Sequence, residues 1–364
     1  MTSNPAKKTD EHGPASPEVF MRRAIELARN GLGFVSPNPL VGSVVVHGNR
    51  IVGEGWHQRY GGPHAEVNAV ESVPDKQILR GCTLYVSLEP CSHTGKTPPC
   101  ADMLIRHGIP HVVIANQDPN PLVSGKGIAK LRNAGITVTT DILSDDAAKL
   151  NRRFFTYMRK GRPYIILKWA QTSDGFMART NFDSKWISDA YSRQLVHKWR
   201  TEEDAVLVGS GTAMHDNPQL NVRHWTGRNP VRIVIDRNLR LDKSLNLFDG
   251  TQRTLCYNLI RNETHDKVSF IKLDRNQFLH AMMEHLFREK IQSVIVEGGS
   301  QLLKSFIEAG LWDEARIFIS PATFREGIAA PMIAGQLTQQ IRLMNDWLKI
   351  IEPVRGEEHR DERF

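Results

Sequence analysis

The tightest constraint in this chain is a set of four residues: His64 and Glu66 in His64-Ala65-Glu66, Cys91 after Pro90, and Cys100. One imidazole and two thiolates are three protein ligands of the kind a catalytic zinc site uses, with the fourth position left for water. Glu66 follows the histidine by two residues at the predicted start of a helix. From there it reaches a metal-bound water and not the metal. A carboxylate so placed can carry a proton from that water to a leaving amine. The pattern is that of zinc deaminases, except that their usual C-x-x-C is here Cys91-x8-Cys100. The insert, 92–99, is polar and turn-rich, so it can loop out and return the second thiolate. Two blander readings compete. One is a pair of unrelated buried cysteines and a surface histidine. The other is a structural zinc with His93 as fourth ligand. Cys82 reads as a buried strand-edge thiol and Cys256 as core.

Composition bounds what else the chain can be. With 364 residues, 40% apolar and 24% charged, it reads as an ordinary globular chain of two domains. No stretch approaches the roughly 20 apolar residues that span a bilayer. The start of the chain is polar and has no apolar core of a secretory signal. Four cysteines make no disulfide framework. The expectation is a cytoplasmic protein without a membrane partner. Lys plus Arg less Asp plus Glu is 47 − 40 = +7, which suits a phosphorylated small ligand as well as it suits nucleic acid. We divide the chain into a disordered tail (1–16), a first domain (17–160) and a second domain (161–364), with a frayed charged end after 354.

Patterning predicts α/β layers in both domains. In the first, a helix over 17–30 starts at Pro17 behind Ser16 and buries Val19, Phe20, Ala24, Ile25, Leu27 and Ala28. A hairpin follows, 41–46 and 50–56, around Gly48-Asn49. Then come a helix after His64 to 72, a strand over 83–88, a helix over 101–107, a strand over 111–115, a helix over 126–134 and a strand over 136–140. The sheet is expected to be largely parallel. One long helix, 145–160, leads to the break Gly161-Arg162-Pro163. In the second domain, strands are predicted over 164–169, 205–209, 231–236, 254–258, 293–297 and 314–320, and helices over 189–200, 276–289 and 300–309. A strand over 347–351 closes the chain. Gly209-Ser210-Gly211 is only a fragment of a dinucleotide fingerprint. Glu297-Gly298-Gly299-Ser300 follows a strand and opens a helix, which suits a phosphate or is a plain turn.

The order of motifs resembles the bifunctional riboflavin-biosynthesis deaminase–reductase family. In the first half these are 37–42 (PNPLVG), Gly55-Trp56-His57, His64-Ala65-Glu66, 88–100 (LEPCSHTGKTPPC), Asp118-Pro119-Asn120-Pro121 and Gly125-Lys126-Gly127. In the second they are 168–175 (KWAQTSDG), 184–188 (SKWIS), 216–223 (DNPQLNVR) and Glu297-Gly298-Gly299. The eight-residue insert between the cysteines matches this family. The resemblance runs over about 17–320 and implies a cytidine-deaminase-like domain followed by a dihydrofolate-reductase-like domain. It implies deamination of 2,5-diamino-6-ribosylamino-pyrimidinone 5′-phosphate, then NADPH-dependent reduction of the ribosyl group to ribityl, with one zinc ion per chain.

Roles carried by the resemblance follow the matched positions. His64, Cys91 and Cys100 hold zinc and Glu66 moves protons. Asn38, His57, His93 and Lys96 contact the deaminase substrate. Asn38 suits a pyrimidinone edge and Lys96 a phosphate. In the reductase, Lys168 is catalytic, orienting the ribosyl C1′ end. Ser184, Arg200, Leu220, Arg223 and Glu297 contact the ribosyl phosphate, the two arginines as guanidinium forks. Ala170, Trp186, Thr212, Asp216, Gly299, Ser300, Gln301, Leu302, Leu303, Lys304 and Ser305 contact NADPH. The partner is a small phosphorylated pyrimidine, not nucleic acid, and a homo-oligomer is expected. Residues 320–327 depart from the glycine-rich run that the family places after that strand. The alternative from another class is a zinc-dependent nucleic-acid (tRNA) base deaminase, which would want a basic, aromatic-lined groove. A structural zinc protein with a degenerate second domain is the non-enzymatic alternative.

Overall fold

The structure is a computed structural model, and it describes residues 16–92, 98–183 and 187–354. Residues 1–15 of the expected tail and the charged end lie outside the described residues, whereas Ser16 is the N-cap of α1 (Pro17–Ala28). Backbone contacts divide the chain into two units, the first ending at Phe155 and the second starting at Thr156.

The first unit is built on a sheet of five strands: β1 (Gly42–His47), β2 (Arg50–Trp56), β3 (Cys82–Val86), β4 (His111–Ile114) and β5 (Thr137–Thr139), in the order β2-β1-β3-β4-β5. The pairs β3–β4 and β4–β5 are parallel, whereas β1 is antiparallel to both neighbours. The expected largely parallel sheet is therefore mixed. The two-residue turn Gly48-Asn49 allows only an antiparallel return.

Helices cover both faces of this sheet. α1 (Pro17–Ala28) buries Phe20, Met21, Ala24, Ile25, Leu27 and Ala28. Val19, expected on that face, is exposed, and Met21 takes its place. Met21, Ala24, Ile25 and Ala28 follow the i, i+3, i+4, i+7 stripe that Val19 breaks. α2 (Ala65–Glu71) lies against the hairpin so closely that a Cβ on Gly55 would sit 2.3 Å from the Ala69 nitrogen. Only glycine permits that approach, and it seats the helix carrying Glu66. α3 (Cys100–His107) and α4 (Lys126–Asn133) complete the layer.

The long helix expected over 145–160 is two helices, α5 (Ser144–Leu150) and α6 (Arg152–Lys160). Asn151 separates them. Its amide oxygen accepts from the Leu40 amide and its Nδ2 donates to the Leu40 carbonyl, both at 2.8 Å. This reciprocal pairing competes with continuation of the helix.

The second unit carries a ten-stranded sheet. Its strands are β6 (Tyr164–Thr172), β8 (Ala205–Gly209), β9 (Val231–Ile235), β10 (Thr254–Asn258), β11 (Glu263–His265), β12 (Val268–Lys272), β13 (Ser293–Val296), β14 (Glu314–Ser320), β16 (Gln336–Leu343) and β17 (Asp346–Glu352). β7 (Phe176–Ala178) and β15 (Ile328–Ala329) form a small separate pair. The order is β11-β12-β10-β9-β8-β13-β6-β14-β17-β16. From β12 to β14 every neighbouring pair is parallel. The two ends are antiparallel. The helices are α7 (Ala190–Glu202), α8 (Ser210–Asp216), α9 (Phe278–Arg288) and α10 (Ser300–Glu308). One face packs Ile165, Leu167, Leu207, Ile233, Met282, Leu286, Val294 and Phe306 into a core.

The strands that sequence patterning missed are short, polar or only partly buried; β12 has one buried residue, Val268, among its five. β16 is exposed at every residue but its last, so it shows no alternation. β7, β11 and β15 have three residues or fewer. The departing stretch after Ser320 is tied down: the amides of Phe324 and Arg325 donate to the Asp174 carboxylate, and Ser173 donates its amide to the Ala322 carbonyl.

Candidate active sites

In the first unit three loops and helix starts meet. His64 stands at the N-cap of α2, and Cys100 opens α3. His64 Nδ1 lies 3.6 Å from Cys91 Sγ and 3.3 Å from Cys100 Sγ. One ligand atom from each of the three residues lies within 4.8 Å of the other two. The insert between the cysteines does return the second sulfur. The Cys100 amide donates to Cys91 Sγ at 3.3 Å, and hydrogen bonds from Cys100 and His64 hold the Cys91 thiol far below its ordinary value. One nitrogen and two sulfurs converge, and Cys91 is held toward thiolate, while the neighbouring Cys91 and burial keep Cys100 protonated without a metal; this donor set fits a zinc ion.

Glu66 is buried beside them. Burial pushes its carboxyl up to about 7, against the opposing pull of His64. Asn38 and His57 join the same site. His57 Nδ1 lies 2.9 Å from the Pro63 carbonyl, and its Nε2 lies 3.0 Å from Asn38 Nδ2. That pairing suits a neutral imidazole with the proton on Nδ1, and burial lowers its pKa. The His57 and His64 rings meet edge to face, 5.5 Å between centroids. His93 and Lys96 lie outside the described residues.

Glu89 is the residue that sequence reasoning left without a role. Its carboxylate is buried and accepts four backbone amides: Asp118 at 3.2 Å and Gly125 at 2.9 Å on Oε2, Gly127 at 2.9 Å and Ile128 at 3.1 Å on Oε1. It binds the segment before α4 and the first turn of α4 to the stretch that leads into Cys91. A Cβ on Gly127 would sit 2.0 Å from the Pro90 carbonyl, so only glycine allows this approach. The signal was present as the acidic residue of Leu88-Glu89-Pro90-Cys91, but its partners are remote in sequence.

The second unit gathers a different set. Arg200 on α7 and Glu297 at the end of β13 form a bidentate pair, Nε to Oε1 at 2.7 Å and Nη2 to Oε2 at 2.8 Å. Both side chains are largely buried, at 11% and 8% exposure, so this is not a solvated surface pair. Burial alone would raise Glu297, but Arg200 outweighs it and, with Lys168 and His197, brings the carboxyl down to about 2. The fork expected to grip a phosphate is thus turned to Glu297. Lys168, in the middle of β6, is lowered by burial and by Arg200, against the pull of Glu297. Arg223 is exposed, and its Nη1 donates to Gln219 Oε1 at 2.7 Å.

Several of the residues expected to contact NADPH lie around two adjacent strand-to-helix turns. The Gly209 amide donates to the Gly298 carbonyl at 3.1 Å. A Cβ on Gly299 would lie 3.4 Å from Thr212 Oγ1, and one on Gly209 would lie 3.8 Å from Leu302. The structure thus brings Thr212, Gly299 and Leu302 together. Ser300 Oγ donates to the Ala329 carbonyl, and Ser305 Oγ to Gln301, both at 2.9 Å. Leu303 is fully buried in the core, as is nearly all of Leu220. Gln301 and Asp216 are exposed, Lys304 pairs with Glu308, and Ala170 lies along β6 beyond Lys168. Ser184 and Trp186 lie outside the described residues.

Comparison with known proteins agrees with both halves. Residues 14–116 match the cytidine and deoxycytidylate deaminase zinc-binding region, and residues 163–350 match the RibD C-terminal domain. The chain is 43% identical over 316 residues to the riboflavin biosynthesis protein RibD of Aquifex aeolicus, covering 85% of this chain and 88% of that one. It is 38% identical over 323 residues to RibD of Escherichia coli, covering 84% and 87%. A solved diaminohydroxyphosphoribosylaminopyrimidine deaminase/5-amino-6-(5-phosphoribosylamino)uracil reductase from Thermotoga maritima superposes with a TM-score of 0.86 at 41% identity, covering 93% and 98%. The chain belongs to the RibD family of bifunctional riboflavin-biosynthesis enzymes, with a zinc-binding, cytidine-deaminase-like domain followed by a dihydrofolate-reductase-like domain of the NADPH-using kind.

Proposed function

We propose that this chain deaminates 2,5-diamino-6-ribosylamino-pyrimidinone 5′-phosphate and then reduces the ribosyl group to ribityl. The observation that carries this reading is the presence, in one chain, of the His64–Cys91–Cys100 cluster beside buried Glu66 and of the buried Arg200–Glu297 pair facing Lys168. Zinc held by His64, Cys91 and Cys100 supplies Lewis-acid activation of water. Glu66 takes a proton and delivers it to the leaving amine. Asn38 offers its amide to the pyrimidinone edge, and His57 fixes that amide in place. His93 and Lys96 complete the substrate contacts, Lys96 at the phosphate.

In the second unit NADPH supplies the hydride. Thr212, Asp216, Ala170, Trp186 and the segment 299–305 hold it, with Leu303 anchoring that segment in the core and making no contact itself. Arg223 and Ser184 take the ribosyl phosphate. Arg200 acts by holding Glu297, and Leu220 shapes the wall. Lys168 orients the C1′ end. A hydride arriving at C1′ breaks the bond to the ring oxygen, which takes up a proton, and the sugar opens. With NADPH deuterated at the transferred position, the label is expected on C1′ of the product by NMR. Label at any other carbon would contradict this assignment.

The site of action is the cytoplasm, and the active form is a homo-oligomer. β16 supports the second point, since it ends the ten-stranded sheet with one edge facing no other strand of that sheet. Such an edge is a template for pairing with another chain. Sedimentation is expected to give a dimer or larger. Ile341→Pro, which places a proline in that strand, is expected to shift it toward monomer. A monomeric wild-type protein at micromolar concentration would contradict it.

A further inference from the structure

The loop between α8 and β9 runs beside the Arg200–Glu297 pair and is held by several hydrogen bonds. The Asn221 carbonyl accepts from Arg200 Nη1 at 3.0 Å. The Arg223 amide donates to His197 Nδ1 at 3.3 Å, and the Val222 amide to Asn229 Oδ1 at 2.8 Å. Arg232 Nε donates to the Gln219 carbonyl at 2.8 Å. Gln219 Oε1 takes Asn221 Nδ2 at 3.3 Å as well as the Arg223 guanidinium. Against this background two buried atoms of the loop differ: Arg228 Nε, whose guanidinium still binds Asp204 through Nη2, and the Asn221 amide oxygen. Asn221 Oδ1 is buried and, among the described residues, has no hydrogen-bond partner. A buried acceptor left unpaired is costly, and native proteins keep few of them without a use.

The chemistry of the missing partner is constrained. Oδ1 can only accept, so it needs a donor. The phosphate of the substrate offers acceptors at neutral pH. The hydroxyls of its sugar donate. Asn221 stands two residues from Arg223 and is bonded through its backbone to Arg200, so it sits where the ribosyl phosphate is assigned. We propose that Asn221 is a specificity-determining residue of the reductase, its amide oxygen accepting a hydrogen bond from a ribosyl hydroxyl. This rests on reading the site as a ribosyl-phosphate reductase.

Asn221→Leu removes the acceptor at similar size, and Asn221→Thr keeps an oxygen there. The test measures KM and kcat with the deaminated pyrimidine phosphate, inhibition by inorganic phosphate, and NADPH affinity. The Leu variant is expected to raise KM about tenfold, the scale of one buried hydrogen bond. Inhibition by phosphate and NADPH affinity stay at wild-type values, and the Thr variant recovers most of the loss. An unchanged KM in a Leu variant that still binds NADPH overturns the proposal. So does an equal loss toward inorganic phosphate, which would make Asn221 a brace for Arg223 alone. Wild-type protein that binds NADPH yet fails to reduce the deaminated substrate overturns the underlying reading and this proposal together.

Discussion

Glu66→Gln is expected to abolish ammonia release while the protein keeps its zinc and still reduces supplied deaminated intermediate. Glu66 is buried in the first turn of α2, two residues after His64. It is the carboxylate placed beside the ligand set, and glutamine fills the same space without a basic oxygen. A positioned proton carrier contributes about 10²–10⁴-fold to rate, so the loss falls in that range or beyond. Zinc content separates this from a ligand defect. Cys91→Ser, which removes a thiolate, is the contrasting variant and is expected to lose metal by elemental analysis. If Glu66→Gln still releases ammonia at the wild-type rate, the residue has no part in the proton path.

Lys168→Ala is expected to show the opposite pattern: ammonia release continues and reduction falls by roughly a hundredfold or more. Lys168 is the cation beside Glu297, and burial lowers its pKa, which eases transfer of its proton. The opening sugar needs a donor at its ring oxygen as the hydride reaches C1′, and alanine supplies none. The measurement is single-turnover NADPH oxidation with deaminated substrate at saturation, compared with NADPH affinity by fluorescence. Lost reduction with normal NADPH binding supports the role. A normal single-turnover rate would leave Lys168 with none.

How much of this was legible depended on how local the chemistry is. His64-Ala65-Glu66 and the two cysteines could be read because residue type and order carry the metal site, and the helix starts at 65 and 100 place them. Glu89 could not be read that way. Its four amide donors lie 29 to 39 positions downstream, and nothing local marks a carboxylate that binds backbone. Arg200 is assigned to the ribosyl phosphate only by the family resemblance, since a lone arginine reads as an ordinary surface residue. The structure turns its fork to Glu297, 97 positions away, a pairing invisible without the fold. The break at Asn151 likewise comes from Leu40, 111 positions earlier. The central parallel strands were legible from their apolar runs. Exposed β16 was not, since a strand wet on both faces shows no period.

The most direct test of the whole account is a paired assay on zinc-loaded protein with the diamino-ribosylamino-pyrimidinone phosphate and NADPH, following ammonia and NADPH in the same tube. Ammonia is expected first, then stoichiometric loss of NADPH and a ribityl product. NADPH loss without prior ammonia, or ammonia that is never followed by NADPH loss, would contradict it.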